Sequence, residues 1–113
     1  MSMHDMSTII RPVNALVDTE YERAAQLHGE AFASAHEGFG VIAEEIQEAG
    51  DELNMVVACM PQLLAAIWES RGQAIVDLAD YIRDRAVNAA AECIQVAAMS
   101  RKMHLSVCGK VEA

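Results

Sequence analysis

The stretch "QAIVDLADYIRDRAVNAAAECIQVAAMSRKMHLSV", Gln73 to Val107, contains neither Pro nor Gly. Within it Ile75, Leu78, Ala79, Ile82, Ala86, Ala89, Ala90, Cys93 and Ala97 recur at helical spacing. One long helix is predicted. Upstream, Pro61 should end an earlier helix that runs from about His36 to Ala58, and open a short third one. Thr19 with Glu22, and Ser34 with Glu37, match the capping-box spacing that marks helix starts. They place a first helix from Thr19, or from Asn14, to Phe32, and the second just after Ser34. No segment alternates with the period of a strand. The predicted class is all-α, a four- to five-helix bundle over residues 14–108, with an N-terminal arm at 1–13 and a C-terminal tail at 109–113.

With 113 residues and 12.3 kDa the chain fits one domain. Its hydrophobic fraction is 53% but its aromatic fraction only 4%, a mix of Ala, Val, Ile, Leu and Met that suits packed helices. A chain this small covers a core poorly, so surplus apolar surface is expected to be buried between copies, in a homodimer or homotetramer.

The net charge of −9 is uneven. Met1 to Val56 carries 11 acids and 2 bases, whereas Val57 to Ala113 carries 6 of each. No Lys or Arg stands between Arg23 and Arg71. Such a surface repels nucleic acid and anionic membrane and attracts cations, so neither is expected as a partner. The most apolar run, Met55 to Trp68, is interrupted by Pro61 and Gln62 and is shorter than the roughly 20 residues that cross a bilayer. "MHDMSTIIRPV" is too polar for a secretory leader, and Cys59, Cys93 and Cys108 form no CxxC pair. A cytoplasmic protein with reduced thiols is expected.

"VIAEEIQEAGDEL", Val41 to Leu53, holds five carboxylates. With Glu44 at zero on a helical wheel, Asp51 falls near about −20°, Glu48 near about 40°, Glu52 near about 80° and Glu45 near about 100°. Ile42, Ile46, Ala49, Gly50, Leu53 and Val57 fall between roughly 140° and 240°, so the acidic stripe is expected to oppose the buried face. Like charges at these spacings cost about 0.2 to 0.5 kcal/mol per pair. A face selected for solubility alone would interleave Lys. Hard divalent cations take carboxylate oxygens together with water and phosphate, and would relieve the repulsion.

In "VNAAAECIQVAAM", Val87 to Met99, a single carboxylate, Glu92, sits among apolar and small residues, sharing a helix face with Arg85, Asn88, Gln95 and Met99. A buried Glu needs a partner. Arg85 or Asn88 would supply one structurally; a cation shared with the acidic helix would supply one functionally.

These two segments resemble the MazG-like branch of the all-α nucleoside triphosphate pyrophosphatases, over about His28 to Met103. That superfamily carries ExxE on one helix and ExxD on a later one. Here "EEIQE" supplies Glu45 and Glu48, followed by Asp51, and "ECIQ" supplies Glu92 and Gln95. The flanking phrases "SAHEGFGVIAEEIQEAGDE" and "AAECIQVAAMSRK" are also similar to MazG-like proteins. Gln95 departs from the pattern, replacing an anionic ligand by an amide carbonyl. The resemblance implies Mg²⁺, with Mn²⁺ as a substitute, and hydrolysis of a nucleoside or deoxynucleoside triphosphate to monophosphate and pyrophosphate. It implies Glu45, Glu48, Glu92, Gln95 and Asp51 as metal ligands and Glu44 or Glu52 to orient or deprotonate the attacking water; Arg101 and Lys102, the nearest bases beyond Glu92, and His36, just before the acidic helix, are the candidates for substrate contact. It also implies at least a dimer. The alternative is a MazG-like module that has lost catalysis, with a binding or assembly role, motivated by Gln95.

Other chemistries find less support. His104 and Cys108 supply two zinc ligands from one helix face, not four. A di-iron bundle needs Glu-x-x-His, and no His here has Glu three positions before it. Trp68 and the Met55 to Met60 segment read as core or interface residues. Neither a Gly-rich phosphate loop nor GxSxG occurs.

Overall fold

A computed structural model of the chain describes residues 5–112, with side chains described for residues 5–109. The described residues are helical with no strand: α1 spans Ser7–His28, α2 Ala35–Trp68 and α3 Gly72–Glu112. Three helices thus stand where four to five were expected. The difference lies at Pro61, which falls inside α2 rather than between two helices. Its missing N–H deprives the carbonyl of Val57 of a helical partner, but Val57 is 67% exposed and Pro61 is exposed too, so water can replace that bond. On the inward side, Cys59, Leu63 and Ala66 continue the helical spacing past the proline.

The helix ends explain the remaining differences. Asp5 Oδ1 accepts bonds from the Ser7 N–H at 3.1 Å and its hydroxyl at 2.8 Å, so α1 starts at Ser7 and residues 7–13, read as arm, are helical. Thr19 lies inside α1 and donates its hydroxyl to the carbonyl of Ala15 at 3.0 Å; the Thr19–Glu22 spacing is not a cap. The second signal does mark a start, since Ser34 Oγ accepts from the Glu37 N–H at 3.1 Å. Gly29, at φ 89°, closes α1 with its N–H on the carbonyl of Ala25. At the end of α2, Ser70 adopts φ 54°. Its N–H reaches the carbonyl of Ile67, and that of Arg71 the carbonyl of Ala66, the paired bonds of a Schellman cap with Ser in the place where Gly is usual.

Two compact units divide the chain, residues 1–45 with 94–113, and residues 46–93. In the first, Tyr21, Ala24, Phe32, Ala98 and Met99 form a core flanked by Val17, Val41, Ile42 and Met103. The Ser106 hydroxyl ties it together, accepting from the buried N–H of Phe32 at 2.8 Å and donating to the carbonyl of Lys102 at 2.6 Å. Gly38 is required here by proximity, because a Cβ would lie 2.7 Å from the Met103 side chain and 2.9 Å from Phe32.

The second unit is an antiparallel hairpin of the later part of α2 and the earlier part of α3, and its buried side chains, Ala49, Cys59, Ala66 and Ala89, are all small. The inward positions alternate by three and four residues: Ala49, Glu52, Val56, Cys59, Leu63 and Ala66 on α2, facing Leu78, Ile82, Arg85, Ala89 and Glu92 on α3. That is heptad spacing, which drifts by about 20° per heptad on a straight helix. It corrects the expectation for the acidic helix. Glu45 and Glu52 are half-buried while Ile46, Leu53 and Val57 are half or more exposed. The carboxylate arc therefore overlaps the inward seam instead of opposing it, because a small-residue seam at Ala49, Cys59 and Ala66 outcompetes the bulkier apolar stripe beside it.

Candidate metal centre

The heptad seam delivers carboxylates to one place. Within the hairpin, an oxygen of Glu48 on α2 lies within 4.8 Å of one from Glu92 on α3; Glu45 stands one turn before Glu48 on α2. Glu45 and Glu92 are half-buried and Glu48 is exposed. Two unit charges about 4.8 Å apart repel by roughly 3.5 kcal/mol at an effective dielectric constant of about 20. Glu92 Oε2 is buried and accepts no hydrogen bond among the described residues. Each fact fits a hard divalent cation: facing carboxylates are oxygen donors suited to Mg²⁺ or Mn²⁺, and an orphaned buried oxygen lacks what a cation would supply.

The structural partner considered for Glu92 is engaged elsewhere. Arg85 Nη1 lies 3.1 Å from Glu52 Oε2, with its guanidinium 5.8 Å from the Tyr81 ring centre. Asn88 is exposed. Of the remaining acids of the stripe, Glu44 and Asp51 are exposed and Glu52 is half-buried against Arg85.

The first unit holds a pocket of about 450 Å³ that takes in Glu45, Gln95 and Lys102, with Phe32 and Met99 among its walls. Lys102 is only 5% exposed. Its ammonium sits 4.4 Å from the Phe32 ring centre, and among the described residues no carboxylate pairs with it. Near the rim, Arg23 forms two bonds to Glu20, at 2.6 and 2.9 Å. The Arg23 hydrogen bond holds the Glu20 carboxyl below its usual range, against the opposing effect of burial. That small contribution to stability is present above the ordinary carboxyl pKa and is lost as pH falls through the lowered one. Arg101 is exposed and points elsewhere, bound to Asp18 at 2.6 Å and stacked 4.5 Å from the Tyr21 ring centre. His36 is exposed at the start of α2 and is not among the pocket residues.

Sequence reasoning did not anticipate His28, Phe32, Glu37 or the Glu20–Arg23 pair in this pocket. The only signal was Phe32 beside the Ser34 cap, an aromatic in a chain with few. Cys108 Sγ lies 3.6 Å from His104 Nε2, and no third metal-ligating group joins them among the described residues. The three cysteines are free. Trp68, read as core or interface, is 80% exposed. No helix among the described residues is long and apolar enough to cross a membrane.

Searches of family models, curated proteins and solved structures returned no match to this chain.

Proposed function

We propose that the chain hydrolyses nucleoside or deoxynucleoside triphosphates to the monophosphate and pyrophosphate, using Mg²⁺, or Mn²⁺ in its place, held by Glu45, Glu48 and Glu92. The observation that carries this reading is the convergence of Glu48 and Glu92 across the hairpin, with Glu92 Oε2 buried and without a hydrogen bond among the described residues. When bound, the cation supplies charge neutralisation to the phosphate oxygens. A water oxygen adds to the α phosphorus, the bond from that phosphorus to the bridging oxygen breaks, and pyrophosphate leaves with the bridging oxygen and its electron pair.

The protein's own groups take the other roles. Lys102, buried and without a carboxylate partner among the described residues, offers its ammonium to a phosphate oxygen. Gln95 offers a neutral oxygen to the same pocket as Glu45. Of the two carboxylates considered for the proton of the attacking water, Glu52 is held by Arg85, which leaves the exposed Glu44 for that task. The compartment expected for such an activity is the cytoplasm, where nucleotide pools lie.

The test is pyrophosphate release from a panel of ribo- and deoxynucleoside triphosphates, with and without Mg²⁺, for the wild type, Glu48→Gln and Gln95→Asp. Metal-dependent turnover that Glu48→Gln lowers by about 100-fold or more is expected. An inert wild type alongside an active Gln95→Asp would identify a module that has relinquished the chemistry through its missing charge. Silence from all three would reject the hydrolase reading.

A further inference from the structure

The last turns of α3 carry a donor set of a different chemistry from the carboxylates of the hairpin. His104 and Cys108 stand one turn apart in this helix, which sets their side chains about 40° apart on one face. Cys108 Sγ lies 3.6 Å from His104 Nε2. A thiolate about 2.3 Å and an imidazole nitrogen about 2.05 Å from one Zn²⁺, at the tetrahedral angle, are also about 3.6 Å apart. The pair is already spaced as two ligands of one ion. The turn between them is fixed to the core, where buried Ser106 bonds both the N–H of Phe32 and the carbonyl of Lys102. His104 is exposed and Cys108 half-buried, so an ion held there keeps an open side toward water. Arg101, one turn before His104, is bound to Asp18 at 2.6 Å, and the C-terminal end of a helix attracts positive charge.

We propose that His104 and Cys108 chelate a divalent cation that prefers nitrogen and sulfur, Zn²⁺ or its substitute Co²⁺, with water in the remaining positions. On binding, the Cys108 S–H bond breaks, a sulfur–metal bond forms and the proton passes to solvent. His104 binds through Nε2 while Nδ1 carries the ring proton. This donor pair selects Zn²⁺ over Mg²⁺ and Mn²⁺, whereas the facing carboxylates of Glu48 and Glu92 suit the hard ions. The chain thereby sorts two classes of cation to two places. Its other thiols are not equipped for this: Cys59 is buried and bonded to the carbonyl of Val56, and Cys93 is exposed but has no histidine within four positions. The site stands whether or not the chain hydrolyses nucleotides.

Titration of the reduced full chain with Co²⁺, in excess Mg²⁺ to occupy the carboxylates, tests this through the near-ultraviolet charge-transfer absorption that a cobalt–thiolate bond produces and a carboxylate does not. The absorption is expected to saturate near about one equivalent, with half-saturation at roughly 10 to 100 µM because two of the four ligands of a closed site are present. Added Zn²⁺ should abolish it. Cys108→Ser should remove it, and His104→Ala should weaken binding by about 10-fold or more, while Cys93→Ser leaves it unchanged. The substituted positions are exposed or half-buried near the end of α3, so helical circular dichroism should match the wild type. No charge transfer at millimolar Co²⁺ overturns the proposal. Absorption that survives Cys108→Ser, or binding that His104→Ala leaves intact, overturns the assignment of the ligands.

Discussion

Glu92→Gln is expected to lower Mg²⁺-dependent pyrophosphate release by about 100- to 1,000-fold while leaving the metal-free fold as stable as the wild type, or slightly more so. The substitution keeps the shape of the side chain and removes one of the two carboxylates that approach within 4.8 Å across the hairpin. Without metal the loss of charge relieves repulsion; with metal it removes a ligand. Thermal unfolding separates the effects. The wild type should gain melting temperature on addition of Mg²⁺ as ligand binding to the folded state requires, and Glu92→Gln should gain much less. If the variant is destabilised without metal and its response to Mg²⁺ is unchanged, Glu92 is a structural group held by something other than a cation.

Arg85→Leu is expected to destabilise the chain by about 2 kcal/mol. Arg85 and Glu52 form an ion pair with side chains 29% and 21% exposed. Removing one member of a fully buried pair costs about 3 to 5 kcal/mol, and partial solvation reduces that. Arg85→Leu combined with Glu52→Leu should recover most of the loss, because apolar side chains of similar size suit inward seam positions. Urea denaturation of the two variants decides this. A loss below about 0.5 kcal/mol for Arg85→Leu, in the range of exposed pairs, would mean the ion pair is surface decoration. The same substitution leaves Glu92 with its neighbouring carboxylates unchanged, so a selective loss of metal response in Arg85→Leu would tie this arginine to the site.

The helical character of the chain was legible because periodicity is written in residues such as Leu78, Ile82 and Ala89, and because Ser34 with Glu37 is a true cap. Helix number was not. Pro61 reads as a break, yet its cost is local, and nothing in the dipeptide records that the carbonyl left without a donor faces solvent. Thr19 misled for a related reason: a hydroxyl that bonds back to Ala15 inside a helix has the same sequence signature as one that caps it.

The candidate site was legible in part. Glu45, Glu48 and Glu92 stand out in the sequence, and the hairpin brings the oxygens of Glu48 and Glu92 together. The orientation of the acidic stripe is not legible, because hydrophobicity alone does not locate the interior of this hairpin. In this hairpin the inward seam is made of Ala49, Cys59 and Ala66, and the larger Ile46, Leu53 and Val57 stand outside it. A sequence does not say which of two apolar stripes meets its own chain. The burial of Lys102 was equally hidden, since it depends on the Phe32 ring, 70 positions earlier in the chain.

Binding of Mn²⁺ to the full chain, followed by electron paramagnetic resonance of the free ion, is the measurement to make first. It asks whether Glu45, Glu48 and Glu92 hold a hard cation, without requiring the correct nucleotide. Saturable binding at submillimolar Mn²⁺ is expected, weakened about 10-fold or more by Glu92→Gln and unaffected by Glu69→Gln, which alters an exposed acid paired with Arg71. No saturable binding, or binding that Glu92→Gln leaves intact, would contradict the assignment and return the acidic helix to a solvated face.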